Sequence, residues 1–113
     1  MKIIKATEII KSNFCVSTED AEKLYNVLKD ELPQSLTTVS FEGAELITPS
    51  FFNASIGRLY GTFEYDYVDA RLSIFDVSEE DKKLVLIMIK RAKRYYQNPE
   101  FYDKFWKQCI EEW

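Results

Sequence analysis

The chain has 113 residues, 46% of them hydrophobic and 15% aromatic, and a formal net charge of -4. That is enough apolar side chain for one domain with its own core, and too much for a disordered polypeptide. The acidic balance argues against a nucleic-acid partner, since neutralising phosphates takes a basic excess.

From the N-terminus, residues 1–10 mix β-branched side chains with charges and predict an edge strand. Lys2, Lys5, Glu8 and Lys11 interrupt the apolar residues, so the stretch lacks the core of a signal peptide and a cytoplasmic protein is expected. Phe14-Cys15-Val16 predicts a second short strand, joined to the first through Ser12-Asn13. Ser17 and Thr18 offer N-cap hydroxyls, and Glu19 and Asp20 put negative charge in the first turn of a helix expected over 19–32. Ala21, Leu24, Tyr25, Leu28 and Leu32 share its inward face, and Pro33 stops it.

Residues 36–41, rich in β-branched Thr37, Thr38 and Val39, predict the central strand. Residues 42–45 turn the chain, and Leu46-Ile47 returns it to the core. A helix is expected over 49–63, with Phe52, Ile56, Leu59, Tyr60 and Phe63 as its buried stripe. Residues 71–77 predict another strand. Ser78-Glu79-Glu80-Asp81 then opens a helix reaching Tyr96, whose Lys90, Arg91, Lys93 and Arg94 form a solvated basic side. Its apolar run over 84–89 is far too short to cross a bilayer, and no membrane partner is expected.

Asn98-Pro99-Glu100 caps a last helix carrying Phe101, Tyr102, Phe105, Trp106, Cys109, Ile110 and Trp113. Its aromatic face either packs on its own domain or, through Trp106 and Trp113, makes a homodimer or captures a partner. Cys15 and Cys109 both sit in apolar patterns and read as buried free thiols. With no histidine, a His/Cys zinc site within one chain is ruled out, and no metal or cofactor is expected. The order β-β-α-β-α-β-α-α predicts an α/β sandwich. It would have a mixed, largely parallel sheet of about four strands with helices packed against it. A single domain over 1–113 is expected, with its core in 1–97 and an extra amphipathic helix in 98–113.

The most informative stretch is LTTVSFEGAELITPSFFNASIGRLYGTF, residues 36–63. Thr48 is placed to cap the helix, Pro49 suits its first turn, and Ser50 puts a hydroxyl beside unpaired backbone N–H groups. The peptide dipoles there favour an anion such as a phosphate. Asn53, Gly57 and Gly61 make a low-relief face. Glycine inside a helix costs about 1 kcal/mol relative to alanine, which close packing on the sheet or a docked partner would offset.

Residues 39–60 resemble the central segment of the STAS domain superfamily, whose archetypes are anti-sigma factor antagonists. Phe14-Cys15-Val16-Ser17 with its helix, followed by SFEGAELITPSFFNASIGRLY, is more closely similar to the STAS-like family DUF4325, over most of residues 14–97. In antagonist STAS domains an Asp-Ser-Ser-Gly-type sequence opens the helix, and its second Ser is phosphorylated by a partner kinase. The resemblance sets Ser50 at that Ser, Pro49 at the preceding Ser, Thr48 at the Asp and Phe51 at the Gly. It implies a partner-binding module without enzymatic activity, working with a histidine-kinase-like ATPase or serine kinase.

No GxGxxG or GxxxxGK[ST] loop occurs, and no histidine is present to act as a base. Glu42 and Glu45 read as solubilising loop residues. Tyr60, Tyr65 and Tyr67 with Asp66 and Asp69 form an aromatic–acidic patch, either a partner surface or an ordinary helix end. The expectation is a non-enzymatic regulatory interaction module, with Ser50 as the phosphorylation candidate. Thr48, Pro49, Ser50, Phe51, Asn53 and Gly57 are its expected partner-binding residues. The alternatives are a constitutive structural subunit of a bacterial or phage-defence complex, and a domain that senses a small anion or ligand.

Overall fold

The computed structural model describes residues 1–97, and the expectations for 98–113, including Cys109 and the C-terminal helix, lie outside them. In chain order the elements begin with β1 (Lys2–Lys5), α1 (Ala6–Ile10), β2 (Phe14–Cys15), α2 (Thr18–Glu31), β3 (Thr37–Ser40) and β4 (Leu46–Ile47). A broken helix follows: α3 (Pro49–Phe52), a π-helical turn (Asn53–Gly57) and α4 (Arg58–Thr62). Then come α5 (Tyr65–Arg71), β5 (Leu72–Phe75) and α6 (Glu79–Gln97).

Local chemistry accounts for most of the boundaries. Ser17 Oγ accepts the Asp20 N–H at 3.2 Å and starts α2. Ser78 Oγ does the same for the Asp81 N–H at 3.1 Å ahead of α6. At the far end of α2, Arg71 Nε donates to the Leu32 carbonyl at 2.7 Å, so a residue of α5 caps it. Gly43 takes a φ of 85°, which the tight turn from β3 towards β4 requires.

The four strands expected over 1–10, 14–16, 36–41 and 71–77 are all shorter than the sequence suggests, β1 and β5 for identifiable reasons. β1 stops at Lys5 because Ala6, Thr7 and Ile10 all turn inward, a helical spacing, and Thr7 Oγ1 is held by the Glu42 carbonyl at 3.0 Å. β5 ends at Phe75 because Asp76 takes a φ of 61°, outside the extended region, and it starts at Leu72, where the helix Tyr65–Arg71 gives way to it.

The sheet also differs from the expected four mixed strands. β1, β3 and β5 form a three-stranded, wholly parallel sheet in the order β1-β3-β5. β2 pairs with β4, also parallel, in a separate two-stranded sheet. The cause is α1, which stands between β1 and β2 in the chain and carries β2 to Leu46–Ile47 instead of to the β1 edge. The α/β class itself is as the sequence reads.

A sheet whose order follows the chain order, joined by right-handed crossovers, places both connecting helices on one face. Ile4, Val39 and Ile74 share a level and point to that face, where Leu24, Leu28, Phe51, Phe52, Ile56 and Leu59 fill the core. On the opposite face Ile3 is 63% exposed and Phe75 60% exposed. The helices pack mainly on one another, with α2 against the π turn and α6 against α4. No described helix is long and apolar enough to cross a membrane.

Candidate functional site

Thr48 caps the broken helix through three contacts. Its Oγ1 accepts the Phe51 N–H at 3.2 Å and reaches the Cys15 carbonyl at 3.4 Å. It also lies 3.3 Å from Ser50 Oγ. Since the one hydroxyl proton of Thr48 goes to the Cys15 carbonyl, Ser50 is the donor in that last pair. Thr48 N–H also donates to the Cys15 carbonyl, at 3.0 Å, which locks the helix start to β2. Thr48, Pro49, Ser50 and Asn53 are half-buried.

This start has little capacity to cradle a free anion. Pro49 has no N–H, the Phe51 N–H is taken by Thr48 Oγ1, and the Phe52 N–H goes to the Thr48 carbonyl at 3.1 Å. Among the described residues that leaves the Ser50 N–H, where a phosphate cradle uses several donors.

Phe51 and Gly57 take other places than the expected partner surface. Phe51 is 0% exposed and belongs to the core, beside Phe52 at 1%. Gly57 is buried, and a Cβ there would lie 3.6 Å from the Cβ of Ala92 on α6 and 3.2 Å from Asn53 Oδ1. The glycine face therefore packs on α6 and not on the sheet. Phe51 and Phe52 lie in α3, just ahead of the π turn, and Gly57 ends that turn against α6. Ser55 supports the turn, its Oγ bonding the Phe51 carbonyl at 2.8 Å.

Sequence patterning did not reveal what flanks Ser50. β2 and β4 bury Cys15 and Ile47 and turn Phe14 and Leu46 outward as a cross-strand pair, each 51% exposed. Val16, the next outward residue, is 41% exposed. Two-residue strands are too short for alternation to show a face, so this apolar rim carries no periodic signal.

A second cluster joins α4, α5 and α6. Tyr60 OH donates to Asp69 Oδ1 at 2.7 Å, and Lys93 Nζ to Asp69 Oδ2 at 2.6 Å. Lys93 Nζ also stands 5.5 Å from the Tyr60 ring centre, and Tyr65 OH donates to the Lys93 carbonyl. Burial, then the hydrogen bond to Asp69, pushes the Tyr60 phenol far above its ordinary value, so it stays a neutral donor. Three of the five residues of the aromatic–acidic patch, Tyr60, Tyr65 and Asp69, thus form an internal brace for α6. Among the described residues no group of three His, Cys, Asp or Glu could hold a metal ion.

The domain is parallel α/β, and its central strand β3 leads through a tight turn and the short β4 into a capped helix. The chain belongs to the family described as a STAS-like domain of unknown function, DUF4325, whose model matches residues 20–82, more than half its length. The match runs from the first turn of α2 to the first turn of α6 and includes the Thr48–Ser50 start. No curated protein and no solved structure is significantly similar to it.

Proposed function

We propose that the chain is a non-enzymatic regulatory protein–protein interaction module, docking its partner at the Thr48–Ser50 helix start and the apolar rim beside it. The observation that carries this reading is the outward Phe14–Leu46 pair next to a half-buried hydroxyl at a helix N-terminus. Contiguous exposed apolar side chains around a polar centre make a contact surface with a specificity element in its middle.

Ser50 is the proposed switch, and a histidine-kinase-like ATPase or a serine kinase is the proposed partner class. Phosphorylation would add about two negative charges at a helix start, where the dipole tolerates them, and repel an acidic partner surface. The single available donor supports this reading over small-anion sensing, because a covalently held phosphate does not depend on a cradle.

The test is recovery of partners from source-cell lysate by wild type, Ser50→Ala, Ser50→Asp and the double variant Phe14→Ser/Leu46→Ser, with intact-mass analysis of the bait. The expected pattern is a protein recovered by wild type and Ser50→Ala but lost with Ser50→Asp and with the double variant. A partner that ignores Ser50→Asp yet needs Phe14 and Leu46 would make the chain a constitutive subunit. Equal recovery by all four would remove this surface from the function.

A further inference from the structure

A cavity of about 360 Å³ opens where α6 passes β5. Leu72, Ile74 and Val77 line one wall, and Val85, Leu86 and Ile89 the other. Tyr60 and Asp69 also line it, but they are bonded to each other at 2.7 Å, and Asp69 to Lys93 at 2.6 Å. Those polar groups are satisfied, so the interior of the cleft takes apolar groups.

Its mouth is cationic. Lys82, Leu86, Lys90 and Arg94 follow one another at four-residue spacing, a single ridge along the exposed side of α6. Lys83 and Ile87 make the ridge beside it. Leu86 is 62% exposed and Ile87 43%, while Val85, Met88 and Ala92 bury the inner side of the helix. Lys82 meets Glu79 at 3.0 Å, whereas Lys83, Lys90 and Arg94 form no ion pair among the described residues.

We infer that this side of α6 docks an acidic amphipathic helix of a partner protein, its apolar side chains entering the cleft and its carboxylates meeting the cations. This docking does not depend on the reading of Ser50. From Lys82 to Arg94 the ridge runs about 18 Å at 1.5 Å per residue. A single headgroup such as a fatty-acid carboxylate needs one cation, whereas a helix carrying several carboxylates matches the whole row. An anionic lipid surface would repel Glu79 and Glu80, exposed at the start of the same helix, and would gain only Leu86 and Ile87 as apolar anchors. A second copy meets a conflict of charge. α6 laid antiparallel on itself about Leu86 sets Lys82 of one copy against Lys90 of the other, and parallel pairing sets each lysine against its equivalent. The chain is acidic overall, so the ridge also fixes where an acidic partner approaches.

The test uses the full chain and two labelled synthetic helices. One has leucines on one face with glutamates beside them, and the other has lysines in place of the glutamates. By fluorescence anisotropy the glutamate peptide is expected to bind saturably, and the lysine peptide at least about tenfold more weakly. Leu86→Asp, at an exposed position outside the core, should weaken the glutamate peptide about tenfold. Lys83→Glu/Lys90→Glu should do the same and in exchange bind the lysine peptide, a gain that misfolding cannot produce. Phe14→Ser/Leu46→Ser should change neither, which keeps the result apart from the Ser50 surface. A glutamate peptide that fails to bind, or that ignores Leu86→Asp, would overturn the docking. So would capture of phosphatidylcholine–phosphatidylglycerol vesicles in place of the peptide, which would make the partner a lipid surface. Self-association of the wild type that Leu86→Asp abolishes would overturn it too, and place a second copy on α6.

Discussion

Cys15 is fully buried on β2, and burial, with Asp20 adding in the same direction, pushes its thiol up to about 11. Because the thiolate is the reactive form, native Cys15 is expected to resist alkylation at neutral pH and to react as soon as the chain unfolds. A timed iodoacetamide pulse followed by peptide mapping checks this, and rapid native labelling of the Cys15 peptide would contradict it. The linkage has a definite sign. Above the ordinary value of 9.0 the unfolded thiol ionises first, so the stability this group contributes is lost as pH rises through about 11. Gly61 shows a different constraint, since a Cβ there would sit 2.4 Å from Tyr96 Cε1. Alanine ordinarily stabilises a helix by about 1 kcal/mol over glycine. Here Gly61→Ala is expected instead to destabilise by about 1–3 kcal/mol through overpacking. Urea unfolding of Gly61→Ala with and without Tyr96→Ser isolates the cause, because the second change should restore the ordinary helix gain.

At the level of elements, caps tie distant parts of the chain together. Thr48 fastens the broken helix to β2, and Arg71 on α5 holds the end of α2. Arg71→Lys keeps the charge but loses the planar fork that reaches both the Leu32 and Pro33 carbonyls, so a loss of about 1 kcal/mol is expected by urea unfolding. An unchanged midpoint would mean that solvent serves those carbonyls equally well. How far these elements were legible follows from their length. α2 announces itself through Ser17, Glu19, Asp20 and a five-residue apolar face, and β3 through a β-branched run, because long elements repeat their pattern. α1 and α5 span less than two turns, too little for a 3.6-residue period to separate from a strand. The π turn at Asn53–Gly57 leaves no pattern in the sequence, and Phe51, expected at the surface from its place in the family motif, is core in the fold. The Thr48–Ser50 start was readable from capping chemistry alone. Its Phe14–Leu46 rim was not, since it depends on a pairing between strands more than thirty residues apart.

For the molecule as a whole, the decisive fact is the strand order β1-β3-β5, which gathers the described helices on one side. Parallel sheets are ordinarily covered on both faces. Here the second face is closed at its centre by side chains: Thr38 Oγ1 contacts Met1 Sδ at 3.7 Å, and Ser40 Oγ donates to Asp76 Oδ2 at 2.5 Å. Small β3 hydroxyls satisfied by flanking residues let the centre stay dry while Ile3 and Phe75 meet solvent at the edges. The outer face therefore contributes little hydrophobic stabilisation. The double variant Ile3→Thr/Phe75→Thr should then keep Tm within about 4 °C of wild type, the range of exposed substitutions in a domain this size. Leu24→Ala, on the buried side, should by contrast cost about 2–5 kcal/mol. Both are read by calorimetry on the full chain. A large drop in the threonine variant would mean that something covers the outer face in solution. A concentration-dependent Tm of the wild-type chain, lost in the same variant, would then identify that cover as a second copy.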